Sequence, residues 1–337
     1  MNFVPGLHLS AQFYREAVAP LLLDLPHSAA RIGPGSEVLG FDTARSTDHD
    51  WGPRVQIFLR PEGTHARIGE IVTDLSSHPG GQVEITTLDA WFDRHLGFDP
   101  RHGVTLADWL DTPTQTLLET VAGAVFHDGL GELEPARARL AWYPDDVWRY
   151  VLACQWSLIA EEEAFVGRCG EVGDELGSAV VAARQVRNLM RLCLLMNRRY
   201  PPYSKWLGTA FARLPGAATL TSSLIATLAA TSWHDREHHL ATAYRFVATQ
   251  QNQLGLAEPV DPATRPYYNR PYQVLHADRF MATLESAIAD PAVRSLPPIG
   301  AIDQHIDNTR VLSDTSQRRS MPRSSAGAEW VRAPTAR

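Results

Sequence analysis

The sequence feature that most constrains this chain is the stretch from Gly35 to Gly52, GSEVLGFDTARSTDHDWG. A Gly-Ser pair is followed by a spacer, residues 37–47, and then by Asp48 and Asp50 at the start of an apolar run. If that run is an extended strand, both carboxylates leave the same face, because they are two positions apart. Two adjacent carboxylates repel each other unless cations lie between them. The stretch therefore predicts a cation site.

Magnesium fits this pattern, because it binds carboxylate oxygens together with nucleotide phosphates. Gly35 allows the backbone to approach a phosphate closely, and the Ser36 hydroxyl and nearby N–H groups can donate to phosphate oxygens. Together these parts predict a site with two magnesium ions for phosphoryl or nucleotidyl transfer. The alternative is a polar loop between two strands, which explains the glycines but not the paired acids.

A Gly-Ser pair, a spacer and Asp-x-Asp on a strand resemble the signature of the DNA polymerase beta-like nucleotidyltransferase superfamily. Members of that superfamily carry a third carboxylate between apolar residues on a neighbouring strand. Glu84, between Val83 and Ile85, matches that setting and is the candidate third acid. The alternative for Glu84 is an outward-facing side chain on an ordinary alternating strand. Asp128, at the end of a later apolar run, is the next candidate.

Composition narrows the classes of function. The chain has 337 residues, enough for two domains, and its 44% hydrophobic and 20% charged content is typical of globular proteins. The net charge of −7 makes a nucleic-acid partner unlikely, because such partners require a basic face. The three cysteines lie in apolar helical patterns and predict free thiols in a cytoplasmic protein. We expect no signal peptide and no membrane helix.

The order of the periodic patterns predicts an α+β chain. Strands are expected at residues 28–34, 49–59, 83–85 and 124–128, and helices at residues 7–24, 64–77 and 88–96. Further helices are expected at residues 145–169, 174–199, 203–214, 218–230 and 235–254. The predicted domains are residues 1–143, with a mixed sheet flanked by helices, and residues 144–312, which are helical. A disordered tail is expected at residues 313–337, where Ser, Arg, Pro and Ala dominate.

A second dense cluster lies in residues 199–208, RYPPYSKWLG. Lys205 is the single lysine among 31 basic residues, which indicates a position that needs a compact ammonium group. Its neighbours Tyr203 and Trp206 could stack on a base or sugar, while Lys205 could bind a phosphate. The alternative is that these aromatic rings only pack against one another.

A third candidate set is an arginine stripe formed by Arg184, Arg187 and Arg191. Their spacing places them on one helix face, where Arg187 could meet the phosphates of a nucleotide. The stripe could equally be a solvated face paired with the acids at residues 161–163.

Six longer motifs resemble an uncharacterised bacterial family of nucleotidyltransferase-like proteins within the same superfamily. They are GSEVLGFD at 35–42, STDHDWGP at 46–53, YPDDVW at 143–148, PYSKW at 202–206, RPYQV at 270–274 and LPPIG at 296–300. The resemblance spans residues 1–312 and implies an N-terminal nucleotidyltransferase fold followed by a helical domain over the cleft. It supplies no substrate.

The resemblance implies phosphate binding by Gly35 and Ser36 and magnesium binding by Asp48 and Asp50. Glu84 would complete the metal site or act as the base. The predicted enzyme is a magnesium-dependent nucleotidyltransferase that moves a nucleoside monophosphate, most simply AMP from ATP, to a hydroxyl of a small molecule. Pyrophosphate would leave toward an arginine or Lys205. The alternatives are a protein side chain or tRNA end as acceptor, or an antitoxin-like nucleotide-binding module without turnover. The oligomeric state is left open.

Overall fold

The computed structural model describes residues 3–48, 51–60 and 81–319, which divide into two compact units. The sheet unit comprises residues 3–48, 51–60, 81–108, 112–142 and 313–319. The helical unit comprises residues 109–111 and 143–312. A four-stranded mixed sheet lies in the first unit and helices dominate the second. The predicted α+β class is confirmed.

The sheet is built from the four strands that the sequence predicts. They are β1 His27–Arg31, β2 Arg54–Leu59, β3 Gln82–Thr86 and β4 Ala124–Asp128. Their order across the sheet is β3-β2-β1-β4. Strand β1 runs antiparallel to both β2 and β4, and β2 runs parallel to β3. The buried strand β1 therefore lies at the centre, and the chain that follows it leaves from the middle of the sheet.

The start of β2 differs from the prediction. The strand begins at Arg54, and Ala44–Asp48 forms a turn of 3₁₀ helix instead. Pro53 lacks the N–H group that a strand residue donates, and only its carbonyl is used, accepting from Gln82 N at 2.9 Å. The expectation that Asp48 lies on the strand is wrong. Asp50 and the predicted helix at residues 64–77 lie outside the described residues.

One face of the sheet packs against the N-terminal helix. This helix, α1 Gly6–Phe13, continues through a π-helical turn and a 3₁₀ turn as far as Leu22. Tyr14, Val18 and Leu22 from these turns pack with Ala29 and Ile57 of the sheet. Apolar residues at every second strand position thus supply this half of the core.

The other face of the sheet packs against α2 Leu88–His95. The rings of Phe58 and Trp91 meet edge to face, with centroids 6.2 Å apart. Gln56 and Glu84 are direct partners in the β2–β3 register, two positions from Phe58, so they share this face. Three further helices complete this part of the chain: α3 Leu106–Asp111, α4 Thr114–Val121 and α5 Leu133–Arg139.

The rest of the chain is mostly helical. Its long helices are α6 Asp145–Glu162, α7 Phe165–Glu171, α8 Glu175–Met196, α9 Ser204–Ala212, α10 Ala217–Ala229, α11 Trp233–Gln253 and α12 Asp278–Ser286. Short helices follow at α13 Pro291–Arg294, α14 Ile302–His305, α15 Thr309–Ser313 and α16 Thr315–Arg319. A two-stranded ribbon pairs β5 Arg265–Pro266 with β6 Gln273–Val274. The helix predicted at residues 145–169 is therefore two helices.

Buried aromatic side chains organise the core of the helical unit, and two of them pair their polar atoms with glutamine side chains. Trp156 stacks on Phe280 with centroids 4.7 Å apart, and its indole N–H donates to Gln251 Oε1 at 3.1 Å. The Tyr244 hydroxyl donates to Gln185 Oε1 at 3.0 Å. Because these buried polar groups are paired, the rings add apolar burial without a desolvation penalty for their N–H and O–H groups.

The three cysteines are free thiols, as the sequence predicts. Cys154 and Cys193 are buried and Cys169 is half-buried, and all three thiols are free. Burial raises the pKa of Cys154 and of Cys193 to about 12, which makes these thiols unreactive near neutral pH. In the part of the chain that the structure describes, every helix is too short or too polar to cross a membrane.

The C-terminal segment corrects the prediction of a tail from residue 313. Helix α16 is ordered by its cap, because the Asp314 carboxylate accepts from Ser316 N at 2.9 Å and from Gln317 N at 3.3 Å. Arg318 is buried in the sheet unit. The Asp314 cap and the burial of Arg318 order this segment, although its polar composition predicts disorder. Residues 320–337 lie outside the described residues.

A buried carboxylate ties the end of α6 to the start of α12. Glu163 accepts hydrogen bonds from Leu275 N at 2.7 Å and from Ala277 N at 3.0 Å. Burial raises the pKa of the Glu163 carboxyl to about 7, although these backbone N–H groups favour its charged form. The carboxyl thus titrates near neutral pH.

Glu163 should make the stability of the fold pH-dependent. Its pKa is about 7 in the folded chain against an ordinary 4.5, so its favourable contribution is complete below pH 4.5. That contribution is lost as the pH rises through 7. We expect the free energy of unfolding to fall by up to about 3 kcal/mol over this range from this residue alone.

Urea denaturation of the wild type and of Glu163→Gln between about pH 5 and about pH 8 measures this contribution. The difference in stability between the two proteins should change across the range. Glu258→Gln, which alters an exposed acid, should keep the wild-type pH dependence. A Glu163→Gln profile parallel to the wild type would contradict the assignment.

Candidate functional site

The Gly-Ser turn, residues 33–41, follows directly from β1 at the centre of the sheet. Gly33 adopts a φ of +83°, a backbone conformation that favours glycine, and the chain bends there. Phe41 N donates to Ser36 O at 2.8 Å and Gly40 N donates to Glu37 O at 3.1 Å. The turn is therefore a compact loop closed by its own backbone hydrogen bonds.

Three hydrogen-bonded contacts attach the turn to the sheet unit. Gly33 N donates to Glu119 O of α4 at 2.8 Å, and Gly123 N donates to Val38 O at 3.0 Å. The buried Gln56 amide accepts from Ile32 N at 3.2 Å and donates to Ile32 O at 3.0 Å. Gln56 thereby completes the hydrogen bonding of the last residue before the turn.

A buried ion pair fills the inside of the turn. Arg31 Nε and Nη2 donate to Glu37 Oε1 at 2.9 and 2.5 Å. The same guanidinium donates from Nη1 to Ile32 O at 2.8 Å and from Nη2 to Pro34 O at 2.6 Å. Only 3% of the Arg31 side chain and 11% of the Glu37 side chain are exposed. Because both charges are withdrawn from water, losing either one would leave the other buried and uncompensated.

Gly35 lies directly over this ion pair. A Cβ atom at this position would lie 2.5 Å from Arg31 Nη2 and 2.7 Å from both Glu37 carboxylate oxygens. Both the ion pair and a backbone φ of +154° therefore favour glycine here. The close approach of a phosphate, which the sequence predicts for Gly35, stays a prediction.

Ser36 and the backbone that follows it present uncommitted donors. Ser36 is half-buried, and its hydroxyl makes no hydrogen bond within the described part of the chain. The N–H groups of Ser36, Glu37 and Val38 likewise donate to no described residue. Successive N–H groups in a turn form a concave surface that binds anions. The turn can therefore take an anion without giving up a bond of its own.

Glu84 of β3 lies beside Gln56 of β2 and forms an ion pair with Arg94 of α2. The exposed fractions of the two side chains are 39% and 56%, so solvent screens this pair and it adds little stability. The structure thus places Glu84 at an accessible point of the face that carries Gln56. Its role as a metal ligand or base stays a prediction.

The predicted magnesium site falls mostly outside what the structure describes. Asp50 lies outside the described residues, and Asp48 is described only as the last residue of a 3₁₀ turn. Among residues 3–48, 51–60 and 81–319, no three or more His, Cys, Asp and Glu side chains are arranged to hold a metal. The ligand set of Asp48, Asp50 and Glu84 stays a prediction.

Asp128, the alternative third acid, is committed to the fold. Its carboxylate accepts from Ser28 Oγ at 2.5 Å and from Glu134 N at 2.9 Å, at the start of α5. Burial raises the pKa of Asp128, but these hydrogen bonds outweigh burial and hold the pKa below its ordinary value. The Asp128 carboxylate therefore attaches the start of α5 to the end of β4.

His95, which the sequence analysis did not single out, abuts the turn. Its ring stacks on Trp91 with centroids 4.1 Å apart, and Nδ1 lies 3.0 Å from Trp91 O. Because a carbonyl only accepts, Nδ1 carries the proton and Nε2 is left as an acceptor. A Cβ at Gly33 would lie 3.5 Å from Nε2. Burial lowers the pKa of His95, so the imidazole facing the turn is neutral at pH 7.

The lysine cluster lies at the start of α9 in the helical unit. Lys205 is exposed, its Nζ lies 4.9 Å from the centre of the Trp206 ring, and it forms no ion pair with any described residue. Tyr203 is 38% exposed. Tyr200 is instead buried, edge to face with Tyr143 at 5.2 Å. Aromatic packing therefore accounts for Tyr200, while Lys205 stays accessible to a ligand.

The arginine stripe on α8 is paired with acids. Arg187 donates from both terminal nitrogens to Asp307 at 3.2 and 2.8 Å, and Arg184 lies 3.1 Å from Glu162. Arg191 forms a buried ion pair with Asp303. The alternative of a solvated stripe paired with the acids at residues 161–163 describes Arg184 only, because Arg187 pairs with Asp307 and Arg191 is buried. Nucleotide binding by Arg187 would have to compete with Asp307.

Comparison with known proteins gives one partial match. The family model described as Domain of unknown function (DUF4037) matches residues 109–207. This range includes Arg187, Tyr203, Lys205 and Trp206 and excludes the Gly-Ser turn. No curated protein and no solved structure matches the chain. The chain is thus similar over part of its length to a domain whose function is unknown.

Gly35→Ala should destabilise the fold because its methyl group would collide with the buried ion pair. We expect a loss of about 3 kcal/mol in the free energy of unfolding. Gly103→Ala is a matched control, since Gly103 also has a positive φ, +114°, but a Cβ there would meet no atom within 4 Å. That variant should lose about 1 kcal/mol. Equal losses in chemical denaturation would show that backbone strain, and not the ion pair, requires the glycine.

Proposed function

We propose that this chain is a magnesium-dependent nucleotidyltransferase. It would transfer a nucleoside monophosphate, most simply AMP from ATP, to a hydroxyl of a small molecule in the cytoplasm. The observation that carries the proposal is the Gly-Ser turn. Its shape is fixed by the buried Arg31–Glu37 pair, while the Ser36 hydroxyl and the N–H groups of residues 36–38 donate to no residue in the described part of the chain.

The chemistry of the available donors suits magnesium. Asp48 and Asp50 follow the turn in sequence, and Glu84 is the third acid that the superfamily pattern implies. All three offer only carboxylate oxygens, the ligands that magnesium prefers. Asp48 and Asp50 would hold the ions, which when bound neutralise the triphosphate and make the acceptor hydroxyl more acidic.

The chain's own residues would bind and orient the nucleotide. The Ser36 hydroxyl and the N–H groups of residues 36–38 would donate to phosphate oxygens, which fixes the α-phosphorus in front of the acceptor. The acceptor oxygen then bonds to that phosphorus as the bond to pyrophosphate breaks. Glu84 would take the acceptor's proton, with Arg94 orienting its carboxylate. Preorganised donors of this kind need no rearrangement during the reaction.

The choice of acceptor follows from charge. The net charge of −7 disfavours a polyanionic acceptor such as a tRNA end, because binding it would add like-charge repulsion. A neutral or cationic small molecule carries no such cost. Incubation with each labelled nucleoside triphosphate, magnesium and a metabolite extract, followed by mass spectrometry, would identify the acceptor by its added nucleotide mass.

The acid pair should control nucleotide binding. In calorimetry with ATP, Asp48→Asn/Asp50→Asn should bind more weakly than the wild type and should no longer respond to magnesium, since neutral amides are poorer magnesium ligands. Glu258→Gln, which alters an exposed acid of the helical unit, should behave as the wild type. Magnesium-dependent binding that is unchanged in the double variant would refute the proposal. Binding without any transferred nucleotide would favour a non-catalytic module.

Lys205 should distinguish nucleotides by their charge. Lys205→Ala should weaken ATP binding by about tenfold and AMP binding by less, because a point charge interacts more strongly with a triphosphate. Lys205→Arg keeps the charge and should restore part of the ATP affinity. Equal losses for ATP and AMP would instead assign Lys205 to packing on Trp206.

A further inference from the structure

The C-terminal segment reaches the helices that hold the Gly-Ser turn. Residues 313–319 belong to the sheet unit, although the preceding residues 143–312 belong to the helical unit. Arg318 of α16 is 9% exposed and the Thr116 side chain of α4 is buried beside it. This segment is therefore an integral part of the unit that carries the turn.

Arg318 joins the end of α2 to α4. Its Nη2 donates to His95 O at 3.1 Å and to Thr315 Oγ1 at 2.8 Å, and its Nη1 lies 3.3 Å from Thr116 Oγ1. The Thr315 hydroxyl also donates to His95 O at 2.9 Å. The last carbonyls of a helix lack partners within the helix. Arg318 and Thr315 satisfy one of them and fasten the end of α2.

Both helices that Arg318 joins contact Gly33. Helix α4 accepts the Gly33 N–H through Glu119 O at 2.8 Å. On the α2 side, a Cβ at Gly33 would lie 3.3 Å from the Trp91 ring and 3.5 Å from His95 Nε2. Gly33 is thus held between the two helices, and the positions of the helices determine where the turn begins.

Charge links the same groups. The Glu119 carboxyl accepts a hydrogen bond from Gln115 Nε2 at 2.6 Å. Burial raises the pKa of Glu119, while Gln115 and the positive charges of Arg31 and Arg318 oppose the rise. The carboxyl of Glu119 therefore interacts electrostatically with both Arg31, inside the turn, and Arg318, in the C-terminal segment.

We infer that Arg318 is a positioning residue for the Gly-Ser turn: by joining α2 to α4 it holds Gly33 in place and sets the turn's affinity for nucleotide phosphates. The second half of this inference rests on the proposed function. The Arg318 guanidinium is engaged by His95 O and Thr315 Oγ1, so its effect on a nucleotide would pass through the turn.

Hydrogen exchange and calorimetry on the full-length chain test the inference together. In Arg318→Gln, the amide of Gly33 should exchange faster, while amides of β2 should exchange as in the wild type. Affinity for ATP with magnesium should fall about tenfold, the scale of one charged hydrogen bond, and affinity for AMP should fall less. Arg15→Gln, which alters an exposed arginine of the same unit, should change neither measurement.

Two milder variants separate positioning from a general loss of stability. Arg318→Lys keeps a charge near Glu119 but loses the forked donor, so both measurements should lie between those of the wild type and Arg318→Gln. Thr116→Val removes one acceptor of Arg318, so exchange at Gly33 should rise and ATP affinity should fall, both by less than in Arg318→Gln. If Arg318 only fills space in the core, Arg318→Lys should not recover the Gly33 exchange rate or the ATP affinity relative to Arg318→Gln.

The outcomes distinguish failure of this inference from failure of the proposed function. Unchanged exchange at Gly33 in Arg318→Gln overturns the inference, whether or not the wild type binds nucleotide. Faster exchange with unchanged ATP affinity overturns its second half. Faster exchange in a chain whose wild type does not bind ATP supports the positioning of the turn and refutes the proposed function.

Discussion

The buried ion pair between Arg31 and Glu37 is the interaction on which the functional region of this protein depends. A guanidinium that is 3% exposed must find partners for its donors inside the protein, and here they are Glu37, Ile32 O and Pro34 O. These contacts define the path of the chain after β1 and require a residue without a side chain at position 35. Replacing either charge alone would leave its partner buried in a medium that solvates charge poorly.

The surroundings of the turn explain how it can keep free donors. The Gly33 N–H and the Val38 carbonyl are paired with Glu119 O and Gly123 N, and Gln56 pairs with Ile32 just before the turn. The N–H groups of residues 36–38 and the Ser36 hydroxyl donate to none of the residues that the structure describes. A loop that is rigid in this way has lost its conformational entropy before any ligand arrives, so binding an anion need not order it.

The two candidate ligand-binding regions have different physical characters. The Gly-Ser turn is preorganised by buried charge and backbone hydrogen bonds. The Lys205 cluster is exposed, with one ammonium resting on an aromatic ring 4.9 Å away. An exposed lysine of this kind acts as a mobile point charge and not as a fixed donor. The arginines that look equivalent in sequence are held by Glu162, Asp303 and Asp307.

The sequence alone determined the existence of the four strands and of most long helices, though not all of their ends, and the position of the turn. Strands at β1 to β4 and the long helices follow from periodicity, and the Gly-Ser pair marks the chain reversal, because these signals are local. The partners of charged side chains were decided only by tertiary structure. Arg31 with Glu37, Arg187 with Asp307 and the return of Arg318 to α2 and α4 join residues whose pairing depends on packing. Composition correctly describes residues 313–319 as polar, but burial and capping by Asp314, which composition does not encode, make them helical.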